Sequence, residues 1–212
     1  GTEVNVSCAV VGPFTLAAII CGFEQFIFHL ISNKEFARKV MNFAKKVSLL
    51  YAQAFIDRGL GVAINESWIS PPLLTPDLYK KYVSPVEKEM ITSLKEYGAN
   101  NIALISGGNT TQIAENMIET GSSLLIADPE TDQEYYRNIC AENDIVLRAN
   151  MASKLVESGT EEEIKTEIKR IIELRGDYPK FVFGCGVVSY STSVESMIRL
   201  KNIFQRVEKS NS

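Results

Sequence analysis

Glu66 and Asp128 each stand where an apolar run gives out, in "GVAINES" and "SLLIADPET". Carboxylates at such places can orient a substrate or bind a cation, although helix capping and turn formation are equally ordinary uses. Cys185 lies between two glycines in "FVFGCGVV", where backbone and ligand can come close, while Cys8, Cys21 and Cys140 read as inert buried thiols. The stretch "LISGGNTTQI" passes from an apolar run through Gly107-Gly108 into a helical pattern, which would turn backbone N–H groups toward an anion. The chain has neither GxxxxGK[ST] nor GxGxxG, so plain turn chemistry is the stronger reading of those glycines. A thiol–imidazole nucleophile would have to use His29, the one histidine, and GxSxG is absent.

Six short runs, "VNVSCAVVG", "GVAINES", "NIALISG", "SLLIAD", "DIVLRANM" and "KFVFGCG", have the apolar or β-branched character of strands. Between and after them the periodicity predicts helices over residues 33–58, 75–97, 110–119, 131–142, 160–175 and 193–207. Thr75-Pro76-Asp77 and Thr160-Glu161-Glu162-Glu163 are helix starts with a capping hydroxyl and early acids. Gly59, Gly98 and Gly121 stand where left-handed terminators are expected. Repeated strand–helix alternation with continuously apolar strands points to a parallel sheet, doubly wound or a (β/α) barrel. Sites in either architecture lie at the carboxyl ends of the strands. That directs attention to Gly12-Pro13, Glu66-Ser67, Gly107 to Asn109, Asp128, Asn150 and Cys185.

With 212 residues and no low-complexity linker, the expectation is a single domain over residues 1–212. A net charge of −4 without a basic stripe argues against nucleic-acid binding. The run "EEEIKTEIKR" reads as a solvated helix with its acids leading. The four scattered cysteines fit reduced thiols in a cytoplasmic protein, and "CAVVGPFTLAAIICG" is too short to span a bilayer. On that reading the N-x-S/T triplets at Asn5, Asn65 and Asn109 are irrelevant to glycosylation.

The ordered series "GPFTLAAIICG", "ESWISPPLLTPDLYKKYVSPVEKEM", "SGGNTTQIAENMIETGSSLLIAD", "RANMASKLVESGTEEEIKTEIKRII" and "FVFGCGVVSYSTSVESM" resembles the uroporphyrinogen decarboxylase superfamily over nearly the whole chain. That superfamily includes the decarboxylases and the methylcobamide:coenzyme M methyltransferases. The resemblance implies an α/β fold of the (β/α)8 TIM-barrel family. Here about six parallel strands, the family's third to eighth, make an incomplete barrel whose open side an oligomer or partner would cover. Ile19 stands where the decarboxylases place a tyrosine, and Cys185 where they carry a histidine, which favours the methyltransferase branch. In that branch the last-strand cysteine joins a His-x-Cys pair on zinc, so Cys185 takes the third ligand position. The pair aligns with Ile105 and Gly107, or with Leu104 and Ser106, so the other ligands are absent. Glu66, Asp128 and water are the remaining candidates for an oxygen-rich metal site.

The resemblance therefore implies a corrinoid-dependent methyltransferase with a degenerate zinc site, taking a methyl group from a methylcobamide on a corrinoid protein to a small thiol. The alternatives are an enzyme acting on a tetrapyrrole-like substrate, as a uroporphyrinogen decarboxylase does, and a binding module without catalysis. Asp128 and Glu66 are the candidate catalytic residues, and Asn109, Ser106 and Asn150 the candidate substrate-binding ones.

Overall fold

The computed structural model describes residues 6–210. Val4 and Asn5, at the start of the first strand-like run, lie outside them. The contacts group the chain into two compact units, Gly1–Leu125 and Ile126–Ser212.

The first unit holds β1 (Ser7–Val11), β2 (Gly61–Asn65), β3 (Ile102–Ile105) and the start of β4 (Leu124–Ala127). They pair in parallel in chain order, with Ala9 opposite Ala63, Ile64 opposite Leu104, and Leu104 opposite Leu125. Between β1 and β2 run α1 (Pro13–Cys21), α2 (Phe23–Ser32) and α3 (Lys34–Ile56). "FEQFIFHLISN" reads as a helix and loop and forms α2, whereas α1 was not legible, because "PFTLAAIIC" is apolar all round and shows no period. Among the described residues no single helix is long and apolar enough to cross a membrane.

The predicted helix over 75–97 forms with a break. It starts as α4 (Pro76–Leu78), widens into one π turn over Tyr79–Val83, and continues as α5 (Ser84–Glu96). Pro85 has no N–H to bond four residues back, and the Ser84 N–H reaches instead to the Tyr79 carbonyl, five residues back. After β3, one 3-10 turn (Thr111–Ile113) leads into α6 (Ala114–Glu119). Gly59, Gly98 and Gly121 have φ of +72°, +109° and +86°, as their place after helices required.

The second unit begins at the end of β4 and contains α7 (Gln133–Glu142), β5 (Val146–Met151), α8 (Ser153–Ser158), α9 (Glu161–Arg175), β6 (Phe181–Cys185) and α10 (Val194–Ser210). β5 and β6 pair in parallel with Met151 opposite Cys185. Thr160 and Glu163 form a complete capping box at the start of α9. Ala149 and Met151 of β5 and Phe181, Phe183 and Cys185 of β6 pack on α9 and α10, through Ile164, Ile168, Ile171 and Ile203. Alternation then puts Arg148 and Asn150, with Val182 and Gly184 across the ladder, on the opposite face.

Candidate functional site

In the first unit, the candidate residue Glu66 follows β2 and is completely buried. Its Oε1 accepts the Phe14 N–H at 2.9 Å; its Oε2 accepts the Thr15 N–H at 2.8 Å and the Thr15 hydroxyl at 2.6 Å. Those amides open α1, whose N-cap residue, Gly12, has no side chain to offer them. Glu66 therefore caps α1 from another strand, with its charge at the positive end of the helix. Gly12 must lack a β-carbon for this to work: one built there would lie 2.1 Å from Glu66 Cδ.

A second acid stands near the first. Glu87, on α5, is completely buried, and its Oε2 accepts the Tyr79 hydroxyl at 2.6 Å. Its Oε1 has no hydrogen-bond partner among the described residues. Burial pushes the Glu66 carboxyl up to about 7, against the pull of its three donors. Glu87 is pushed well above the usual carboxylate range, by burial first and by the charge of Glu66 second, while the Tyr79 hydroxyl pulls the other way. Three donors converge on Glu66 and one on Glu87, so the pair's negative charge sits on Glu66 and its proton on Glu87.

The turn after β3 holds the other candidates of this unit. Ser106 is buried, and its hydroxyl makes a long bond, 3.4 Å, to the Gly107 carbonyl. Asn109 is exposed and its Oδ1 accepts the Thr111 N–H, which closes a local turn. Gly108 takes φ of +77°, a conformation that favours glycine. His29 lies on α2 with its ring 4.7 Å from that of Phe36, and its Nδ1 has no hydrogen-bond partner among the described residues.

In the second unit the strand ends are tied by side chains. Asp128 directly follows β4, and its Oδ1 accepts Asn150 Nδ2 at 2.8 Å. Asn150 Oδ1 accepts Arg148 Nε at 3.0 Å, and Arg148 Nη2 donates to the Cys185 carbonyl at 3.1 Å. Gln133 Nε2 donates to the carbonyls of Ala127 and Asn150, at 3.0 and 2.9 Å, while its Oε1 accepts Arg170 Nη2 at 2.7 Å. Asp128 and Asn150 were both candidates from sequence; Arg148 and Gln133 were not. The signal for Arg148 was present in "VLRANM", where polar residues at 148 and 150 alternate with apolar ones at 147, 149 and 151.

Cys185 is placed differently from the other candidates of its unit. Its side chain packs with the apolar cluster against α9 and α10, and only its carbonyl meets Arg148. The glycine before it also has another explanation. A β-carbon at Gly184 would lie 2.3 Å from Asn150 Oδ1 and 2.4 Å from Arg148 Nε, so Gly184 makes room for those side chains. Among the described residues no group of three or more His, Cys, Asp or Glu side chains is gathered to hold a metal. The side chains at 104, 105 and 106 supply no zinc-binding nitrogen or thiolate, residue 107 is glycine, and Cys185 lies among hydrocarbon. This donor set does not fit zinc.

Comparison with known proteins agrees with this architecture. The family model described as uroporphyrinogen decarboxylase (URO-D) matches residues 1–206. The chain is 25% identical over 209 residues to a methylcobamide:CoM methyltransferase, MtbA, of Methanosarcina acetivorans, covering 98% of this chain and 58% of that protein. It is 26% identical over 195 residues to the protein of the same name from Methanosarcina mazei, covering 91% of this chain and 56% of that one. The chain thus spans a little over half the length of these curated relatives. The solved structure of a methyltransferase from Methanosarcina mazei superposes with a TM-score of 0.85 at 21% identity, over 98% of this chain and 60% of that one. That likeness shows the fold: six parallel strands with their flanking helices, an incomplete (β/α)8 barrel.

Proposed function

Because the chain belongs to the uroporphyrinogen decarboxylase family, we propose that it serves methyl transfer from a methylcobamide, carried by a corrinoid protein, to a small thiol. The observation that carries this reading is the match to two methylcobamide:CoM methyltransferases over 98% and 91% of the chain. The Ile19 and Cys185 departures from the decarboxylase pattern support it.

In this reading the methylcobamide would supply an electrophilic methyl group, its cobalt–carbon bonding pair staying on cobalt, and the thiol, having given up its proton, would supply the electron pair of the new S–C bond. The polar face of the second unit receives the acceptor. Asp128 and Asn150 orient it: Asn150 is fixed on three sides, by Asp128 at its Nδ2, Arg148 at its Oδ1 and Gln133 at its carbonyl. Asp128 Oδ2, the oxygen that does not bind Asn150, has no hydrogen-bond partner among the described residues, so it is the acceptor for the thiol proton. Glu66 acts as a positioning residue by holding the start of α1. Zinc has no part in the scheme, since its ligand set is absent.

The test is transfer from methylcobalamin to 2-mercaptoethanol or 3-mercaptopropionate by the full-length protein, followed by loss of the cobalt–methyl absorbance and by thioether formation. Transfer is expected to survive exhaustive chelation of the enzyme. Turnover of a porphyrinogen carboxylate without any methyl transfer would overturn the reading. Transfer that stops on chelation and returns with zinc would overturn the metal-free form of it.

A further inference from the structure

We infer that Arg148 is the anchor of a carboxylate-binding site on the polar face of β5 and β6, reading the anionic end of a small organic ligand. The inference rests on the second unit's geometry and holds whether or not methyl transfer is the activity.

The charge on Arg148 is the first argument. A half-buried guanidinium ordinarily meets a carboxylate, because desolvating it without an opposite charge is costly. Arg148 meets only neutral acceptors, Asn150 Oδ1 and the Cys185 carbonyl, and no acidic side chain pairs with it among the described residues. Three other arginines of the same unit do have acids: Arg137 pairs with Asp177, Arg170 with Glu167 and Arg206 with Glu161.

Preorganisation is the second argument. Nε and one Nη2 hydrogen are used to fix the plane of the fork, and the remaining Nη hydrogens are unassigned. Asn150 could present either its carbonyl or its amino group to Arg148. Asp128 decides this by accepting from Nδ2, which leaves Oδ1 for the guanidinium. Asp128 is thus spent on orienting an amide and forms no direct ion pair with the arginine. Gly184 keeps the ground beneath the guanidinium clear, since any side chain there would collide with Nε.

Position is the third argument. Arg148 and Asn150 stand on the face of β5 turned away from the apolar cluster, and Val182, opposite Arg148 in the ladder, is 42% exposed. This face is open to a ligand. A planar carboxylate matches the free Nη edge in a bidentate pair, which a lysine cannot imitate. The ligand's neutral end then lies toward Asp128, because a second anionic group there would meet a like charge.

The experiment is an NMR titration of the full-length protein with 3-mercaptopropionate and propionate, reading the arginine side-chain N–H signals, with propionamide as the uncharged control at matched ionic strength. The Arg148 signals, assigned by their loss in Arg148→Lys, should shift saturably with both carboxylates and stay still with propionamide. Arg148→Lys should weaken binding about tenfold or more, through loss of the fork. Because Arg148→Lys can itself loosen the β5–β6 connection, the titration of the unaltered protein is the deciding measurement. Arg148 signals that ignore the carboxylates, or that respond equally to propionamide, would show that its task is only to tie the two strands. Saturable binding without any methyl transfer would leave this site standing while removing the proposed activity.

Discussion

Gly12 and Glu66 occupy one volume: a β-carbon on the first would sit 2.1 Å from Cδ of the second. The glycine is there for the carboxylate, and the carboxylate is there for the helix that the glycine begins. Gly12→Ala is therefore expected to push Glu66 off the Phe14 and Thr15 amides and cost about 3 kcal/mol or more, combining overpacking with loss of a buried cap. Urea denaturation of the variant measures this. An unchanged midpoint would mean that Glu66 caps nothing of consequence.

Glu87 offers a prediction about pH. In the unfolded chain its carboxyl titrates near its ordinary 4.5, whereas in the fold it holds its proton to well above the usual range. Glu66 moves in the same direction, to about 7. From about pH 4.5 upward the folded form thus binds more protons than the unfolded one, so this pair's contribution to stability is greatest below 4.5. It declines as pH rises through the folded values, by at most about 1.4 kcal/mol per pH unit for each proton of difference. Glu87→Gln imitates the protonated acid. It should match the parent protein at pH 5, exceed it in stability at pH 8, and flatten the profile between them. A variant less stable than the parent at pH 8 would place the proton elsewhere.

Gly184→Ala should displace Arg148 and Asn150 while leaving the Phe181 and Phe183 side of β6 in place. Carboxylate affinity is expected to fall about tenfold or more, with a stability loss of about 1–3 kcal/mol. Comparing the two effects in one titration and one melt distinguishes a site defect from general unfolding.

Cys185→Ser should cost about 1–2 kcal/mol, because it puts a hydroxyl among Met151, Phe183 and the α9–α10 side chains. Methyl transfer per folded molecule and metal content should both stay as they were. One tightly held zinc per chain, lost in this variant, would overturn the placement of Cys185.

Much of the framework was legible in order along the chain. Each of the six apolar runs became a strand, and Thr160 with Glu163 built the cap that their spacing announced. Local pattern suffices there, since alternation, capping and glycine terminators act within a few residues. The first helix after β1 escaped because an apolar helix without a polar face carries no period. The continuous strand run "DIVLRANM" concealed a real alternation, and with it Arg148.

By itself the sequence determined the strand and helix alternation, the family pattern and the absence of the expected His-x-Cys pair. Tertiary structure decided what the candidate residues touch. Glu66 meets amides more than fifty positions away, and no local spacing records such a partner. Asp128 and Asn150 meet across twenty-two positions, and Arg148 reaches the Cys185 carbonyl across thirty-seven. Cys185 owes its surroundings to the parity of β6: the face that also carries Phe181 and Phe183 packs on the helices, and its thiol goes with them. A strand's alternation says which residues share a face, but only packing says which face is dry.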